Sequence, residues 1–336
     1  MNKITFPRIG VDGISYSQDD IEIWYTNKVT LKITQRLEAL ILKLQEPPKV
    51  NIEYISFVQN VKDNLSILLL LKPIELENVV NIIDSEYKEF LLQKVNDNTL
   101  QTLILEAFNY KNFRKSILIE LAKKLNIKTC PYCNMQFTLY AENPDHKEKK
   151  LARFQFDHFY DKITYPILSM SLYNLIPSCA ICNQGKSQKV LPLIFNPYYA
   201  DIHEQFDFHI EEQVDYLLMG AKIKEMIKVE LHTKNATEDE IKEYEQTFHL
   251  KTLYCRHGDI VQEVFDKVYV NEYYNNLDNF KFLQDVNPNY LKRLWIGTYT
   301  NIEEIHKRPM TKFIQDIWEQ ATSYEKLKLI GKAQKH

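Results

Sequence analysis

The chain has 336 residues, 45% hydrophobic and 26% charged, an ordinary globular composition that excludes a largely disordered or collagen-like polypeptide. A net charge of -3 argues against a protein coated in nucleic-acid-binding surface. The 7 glycines build neither G-x-G-x-x-G nor a P-loop, which excludes the usual dinucleotide enzymes and P-loop ATPases.

The length, about twice the ~150-residue norm for one domain, predicts two or three packed units. Apolar residues Ile33, Leu37, Leu40, Ile41 and Leu44 predict an amphipathic helix over 30–46, stopped by Pro47 and Pro48. Further helices are expected over 73–95, 99–110 and 112–126, so residues 1–125 read as a helical N-terminal region. From 126 to 196 the texture changes to cysteines, prolines and short alternating runs at 135–140 and 153–157, the pattern of a compact α+β module. Residues 197–336 read as mixed and then helical, with strands at 207–214 and 227–233 and helices over 238–254, 259–282 and 302–330. The longest unbroken aliphatic run, Ile67 to Leu71, is far below the ~18 residues of a membrane span, and no apolar signal stretch opens the sequence. A cytoplasmic protein with no membrane association is the expectation.

Charge is unevenly spread. Residues 101–190 carry 13 Lys/Arg against 7 Asp/Glu, a local +6 where the rest of the chain sums to -9. Lys111, Arg114, Lys115, Lys123 and Lys124, and the cluster His146 to Lys150, could supply phosphate contacts or simply form a solvated face.

Four of the five cysteines fall into two pairs, Cys130-Pro131-Tyr132-Cys133 and Cys179-Ala180-Ile181-Cys182; Cys255 stands apart. In a reducing compartment such spacing predicts a metal site rather than disulfides. Four thiolates suit a tetrahedral Zn²⁺ and leave no open coordination position, so this zinc is structural.

Between and beyond the pairs lie Asp157-His158, Asn174 and Asn183. The Asp157 carboxylate and the Asn183 amide oxygen are hard ligands suited to a hydrated Mg²⁺ or Mn²⁺. A neutral imidazole at His158 can take a proton from a water attacking phosphorus. Asn174 would hold the loop or the ring in place. Lys186 could meet a phosphate as a point charge or face solvent.

Asp157-His158, Asn174, and then Asn183 within Asn183-Gln184-Gly185-Lys186-Ser187 resemble the motif of HNH, or ββα-metal, nucleases. The stretch from Asn174 to Ser187 resembles the second half of that motif in zinc-stapled members. Cys130-Pro131-Tyr132-Cys133-Asn134 and Asp157-His158-Phe159-Tyr160-Asp161-Lys162 are similar to HNH proteins of bacterial anti-phage systems such as Septu, with Asp161 where a proline is expected. The resemblance covers about residues 125–196, and His306-Lys307-Arg308-Pro309 weakly extends it.

The resemblance implies an α+β chain in which a small zinc-stapled ββα-metal module sits between helical regions. It implies one-metal phosphodiester hydrolysis with His158 as general base, Asp157 and Asn183 holding the ion, and Asn174 in support. DNA is the expected substrate. An RNA (tRNA) nuclease of the same fold and a non-catalytic zinc-stapled module that binds nucleic acid or protein are the alternatives. It also implies a defence effector under a regulatory partner, plausibly an ATPase.

Overall fold

The computed structural model describes residues 3–46, 50–142, 150–152, 154–211, 226–275 and 288–333. The fold is mixed α+β and mostly helical, with small two-stranded antiparallel sheets. Two compact units emerge: Lys3–Lys128 with Thr138–Ala200, and Thr129–Phe137 with Asp201–His336.

The first unit is organised by α1 (Gln18–Leu44). Ser17 accepts from the Asp20 amide, and the Asp20 carboxylate accepts from the Ser17 amide, a capping box that fixes the start of the helix. Ile21, Tyr25, Val29, Ile33, Leu37, Leu40, Ile41 and Leu44 form one buried stripe. The helix starts earlier than the stretch 30–46 expected from the sequence, because Ile21, Tyr25 and Val29 carry the stripe through an otherwise polar segment. Two further helices, α2 (Ile52–Asp63), capped by Asn51, and α3 (Leu65–Leu70), were not expected from periodicity. The helix expected over 73–95 is α4 (Pro73–Ile82) followed by a π-turn over Ile83–Tyr87 and a short helical turn at Lys88–Leu91.

Next come α5 (Leu100–Phe108) and α6 (Ile117–Leu125). Both end on asparagines in the left-handed region, Asn109 (φ 55) and Asn126 (φ 45), where a short polar side chain tolerates what most residues cannot. The same unit then forms an antiparallel pair from β1 (Gln155–His158) and β2 (Leu175–Ser178), followed directly by α7 (Ala180–Lys186). The register pairs Asp157 with Ile176 and His158 with Leu175. Strands at Tyr140–Glu142 and Lys150–Ala152 form a separate pair.

In the second unit, β3 (Phe206–Ile210) pairs with β4 (Val229–Thr233), as the sequence reading of two short strands expects. The single helix expected over 238–254 is two, α8 (Glu238–Phe248) and α9 (Leu250–Tyr254), broken by His249 at φ 51. Then follow α10 (Gly258–Asn275), α11 (Pro288–Ile296) and α12 (Thr311–Ala333). The helix expected over 302–330 is likewise divided, into a 3₁₀ segment Ile302–Lys307 and α12. Pro309 pushes Arg308 out of helical geometry to φ -137, ψ 143, and Met310 (φ 62) turns the chain into α12.

Inside this unit Lys312 and Asp316, both buried, pair at 2.6 Å, and Asp316 also accepts from the Phe208 amide at 2.8 Å. His203 Nδ1 is buried without a hydrogen-bond partner among the described residues. Burial, aided by the nearby Lys312 and Lys234, pushes the His203 imidazole down to about 3. Above about pH 6.5 the ring is neutral in folded and unfolded chains alike; between about 6.5 and 3 only the unfolded chain binds the proton. Stability is therefore expected to fall as pH drops through that window, by up to ~1.4 kcal/mol per unit from this residue. Urea unfolding of wild type and His203→Gln between pH 7 and 5 checks this, the variant giving the flatter pH dependence.

Candidate metal centre and active site

All four cysteines of the two C-x-x-C pairs are reduced and buried, and their sulfurs lie within 4.8 Å of one another. Four thiolates at ~2.3 Å from a tetrahedral ion stand ~3.8 Å apart, so this donor set fits a metal such as Zn²⁺ with little rearrangement.

Local structure explains each half. Around Cys130 the chain folds back on itself, the Cys130 amide donating to the Gln136 carbonyl at 2.9 Å and the Asn134 amide to the Cys130 carbonyl at 2.8 Å. Asn134 (φ 50) makes the turn, and its buried side chain donates to Thr129 Oγ1, Ile305 O and Arg308 O and accepts from the Lys312 amide. The weakly family-like segment around His306 thus anchors the turn that carries Cys130 and Cys133. Tyr244 and Tyr254 donate their hydroxyls to the Tyr132 and Cys133 carbonyls, each at 2.7 Å. Cys179 is the N-cap of α7, and its sulfur accepts from the Cys182 amide at 3.4 Å.

The second group of residues is built on β1, β2 and α7. Successive strand residues face opposite sides, so Gln155 and Asp157 share one face. That face meets α7: Asn183 Nδ2 donates to Gln155 Oε1, and Lys186 Nζ stands 3.5 Å from Asp157 Oδ2. The structure thus brings Asp157 and Asn183 to the same strand–helix junction. Sequence reasoning missed Gln155, although the period-two pattern Gln155-x-Asp157 signals it.

His158 ends β1 and is 5% exposed. Its Nε2 lies 2.9 Å from the Ser169 carbonyl, and the ring packs edge-on against Tyr110 with centroids 4.5 Å apart. A carbonyl can only accept, so Nε2 carries the proton and the lone pair is left on Nδ1. Burial pushes this imidazole down to about 3, with Lys162 and Lys186 adding to the effect, so it is neutral at physiological pH. The ring is thus neutral, with its lone pair at a defined atom, and burial makes it a weaker base than a solvated imidazole.

Asn174 is fully buried and holds the loop 159–174 together. Its Oδ1 accepts from the Tyr160 amide at 2.8 Å, and its Nδ2 donates to the Tyr160 and Leu168 carbonyls at 3.0 and 2.9 Å. These contacts give it a positioning role: it fixes the same loop that presents the Ser169 carbonyl to His158. Asp161, at the expected proline position, accepts from the Ile163 and Thr164 amides and caps the turn in the proline's stead.

Lys186 requires a correction. Its ammonium faces neither solvent nor a surface phosphate: it is fully buried, donates to the His158 carbonyl at 2.7 Å and pairs with Asp157. Burial pulls it below the ordinary lysine range while Asp157 pulls the other way. The helix position i+3 from Asn183 turns it onto the strand, where it serves as a counter-ion for the carboxylate.

Among the basic residues of 101–190, Lys111, Arg114 and Lys115 are exposed, whereas Lys123 pairs with Glu120 and Lys124 sits over the Tyr16 ring. The cluster His146 to Lys149 lies outside the described residues, as does the side chain of Lys150. No helix among the described residues is long and apolar enough to cross a membrane.

No protein-family profile matches the chain, and neither curated proteins nor solved structures give a match.

Removing a ligand should release the metal, because affinity rests on the full thiolate set. Cys130→Ser and Cys179→Ser are expected to lower zinc from about one per chain to a small fraction and to lower the melting temperature. His158→Ala should leave zinc content unchanged. Elemental analysis of the purified proteins checks both.

Proposed function

We propose that the chain is a metal-dependent endonuclease of the HNH type that hydrolyses DNA phosphodiester bonds. The observation that carries this reading is the antiparallel pair β1–β2 followed at once by α7, with Asp157-His158 closing the first strand and Asn183 on the helix. The four-cysteine cluster beside the helix start is consistent with it.

The residues have separable tasks. His158, its Nε2–H held by the Ser169 carbonyl, has Nδ1 available to accept a proton from the attacking water. Asp157 and Asn183 would hold a Mg²⁺ or Mn²⁺ ion, which supplies charge stabilisation at the phosphate and at the leaving oxygen. The donor set fits a hard cation: a carboxylate that already attracts the Lys186 ammonium, and an amide whose nitrogen is committed to Gln155, leaving its oxygen as the donor toward a cation. Asn174 acts through the loop it fixes, and Gln155 through Asn183. The resemblance to anti-phage HNH proteins adds the reading of a defence effector under a partner's control.

The test is cleavage of supercoiled plasmid, single-stranded DNA and tRNA by wild type and His158→Ala, with Mg²⁺ or Mn²⁺ and with EDTA. DNA cutting that needs the divalent ion and drops by ~10²–10⁴-fold in the variant is expected. Cutting of tRNA alone would move the substrate to RNA. Cleavage retained by His158→Ala would overturn the assignment.

A further inference from the structure

Tyr299 lies between α11 and the 3₁₀ segment Ile302–Lys307, and three cations stand over its ring. Arg293 Cζ is 4.1 Å from the ring centroid, Lys307 Nζ 5.3 Å and Arg308 Cζ 5.7 Å. Gly297 (φ +78) makes the turn that joins α11 to this corner, and a Cβ there would come within 3.1 Å of Lys267 Nζ, so a fourth cation lies beside that turn. The carboxylates nearby neutralise only part of this charge. Lys307 pairs with Glu304 at 2.7 Å, and Lys267 pairs with Glu263. Arg293 and Arg308 have no carboxylate partner among the described residues; both are exposed, and Arg308 donates to the Gly297 carbonyl at 2.8 Å.

Like charges gathered on one ring repel one another, and the ring quadrupole offsets only part of that repulsion. An anion would relieve the rest. Guanidinium groups resting on an aromatic ring have already lost much of their rotamer freedom, and their planar forks match the paired oxygens of a phosphate.

We propose that the Arg293–Tyr299–Arg308 corner is a nucleic-acid contact site that grips the phosphodiester backbone through its two guanidinium groups. The proposal rests on the nuclease reading, which requires the chain to hold a polyanion, but it involves none of the residues assigned to the chemistry. Its contribution is sequence-independent affinity rather than base recognition.

The experiment measures binding of fluorescent single-stranded and duplex DNA by the full chain carrying His158→Ala, across a salt series. Arg293→Ala/Arg308→Gln removes both charges and leaves an amide able to donate to the Gly297 carbonyl. It should weaken binding about ten-fold near 0.1 M salt and flatten the log–log salt dependence by ~1.5–2, the change for two lost phosphate contacts. Arg293→Lys/Arg308→Lys should restore most of the salt dependence. Lys32→Ala/Lys43→Ala, two exposed lysines on α1, should change little. If the charge-removed variant matches this control while the wild-type chain cuts DNA, the site is wrong and the nuclease reading stands. If the chain neither binds nor cuts nucleic acid, both fall. Loss of binding by the variant to anionic vesicles alone would overturn the proposal in favour of a lipid surface.

Discussion

A connection that runs through the protein interior must pair its backbone polar groups, because each one left unpaired away from water costs about 1–3 kcal/mol. The loop between β1 and β2 is buried along almost its whole length, and this constraint shapes everything around it. Asn174 meets it by bonding three backbone groups at once. Tyr25 reaches in from α1 to donate to the Met170 carbonyl at 2.8 Å, and Ser171 donates to the Leu68 carbonyl at the end of α3. Tyr165 bonds Asp84 from the same loop. The helices of the first unit are therefore more than a scaffold: they fix the loop whose Ser169 carbonyl decides which nitrogen of His158 is bare.

The Asp157–Lys186 pair obeys the same logic with higher stakes. A buried carboxylate without a counter-charge is strongly unfavourable, and a lysine on the next helix turn after Asn183 supplies one. Placing that ammonium also on the His158 carbonyl ties the end of β1 to α7. The carboxylate is thus already charge-balanced within the folded chain, and the pair fixes its position. Gln155 acts comparably on Asn183, fixing the amide so that its oxygen is the group left to donate.

Much of the fold was legible in the chain itself. Helices with continuous stripes and clear caps were readable, as was the pairing of the strands at 206–210 and 229–233. Where single helices expected over 238–254 and 302–330 proved divided, local backbone events were responsible: left-handed His249 and the extended Arg308 before Pro309 broke stretches whose hydrophobic pattern continued across the break. Helices α2 and α11 escaped notice because each mixes buried with exposed apolar residues, Ile52 in the one and Tyr290 and Leu294 in the other facing out, which blurs the periodic stripe.

For the candidate site, residue types and spacing pointed to the four cysteines that the fold gathers into one buried cluster, since ligand chemistry belongs to the side chain itself. The orientation of those groups was another matter. That Lys186 turns inward, that Gln155 orients Asn183 and that Ser169 sets the His158 tautomer depend on contacts between residues far apart in the chain. Burial and hydrogen-bond partnership are properties of the packed chain, and only the tertiary structure could decide them.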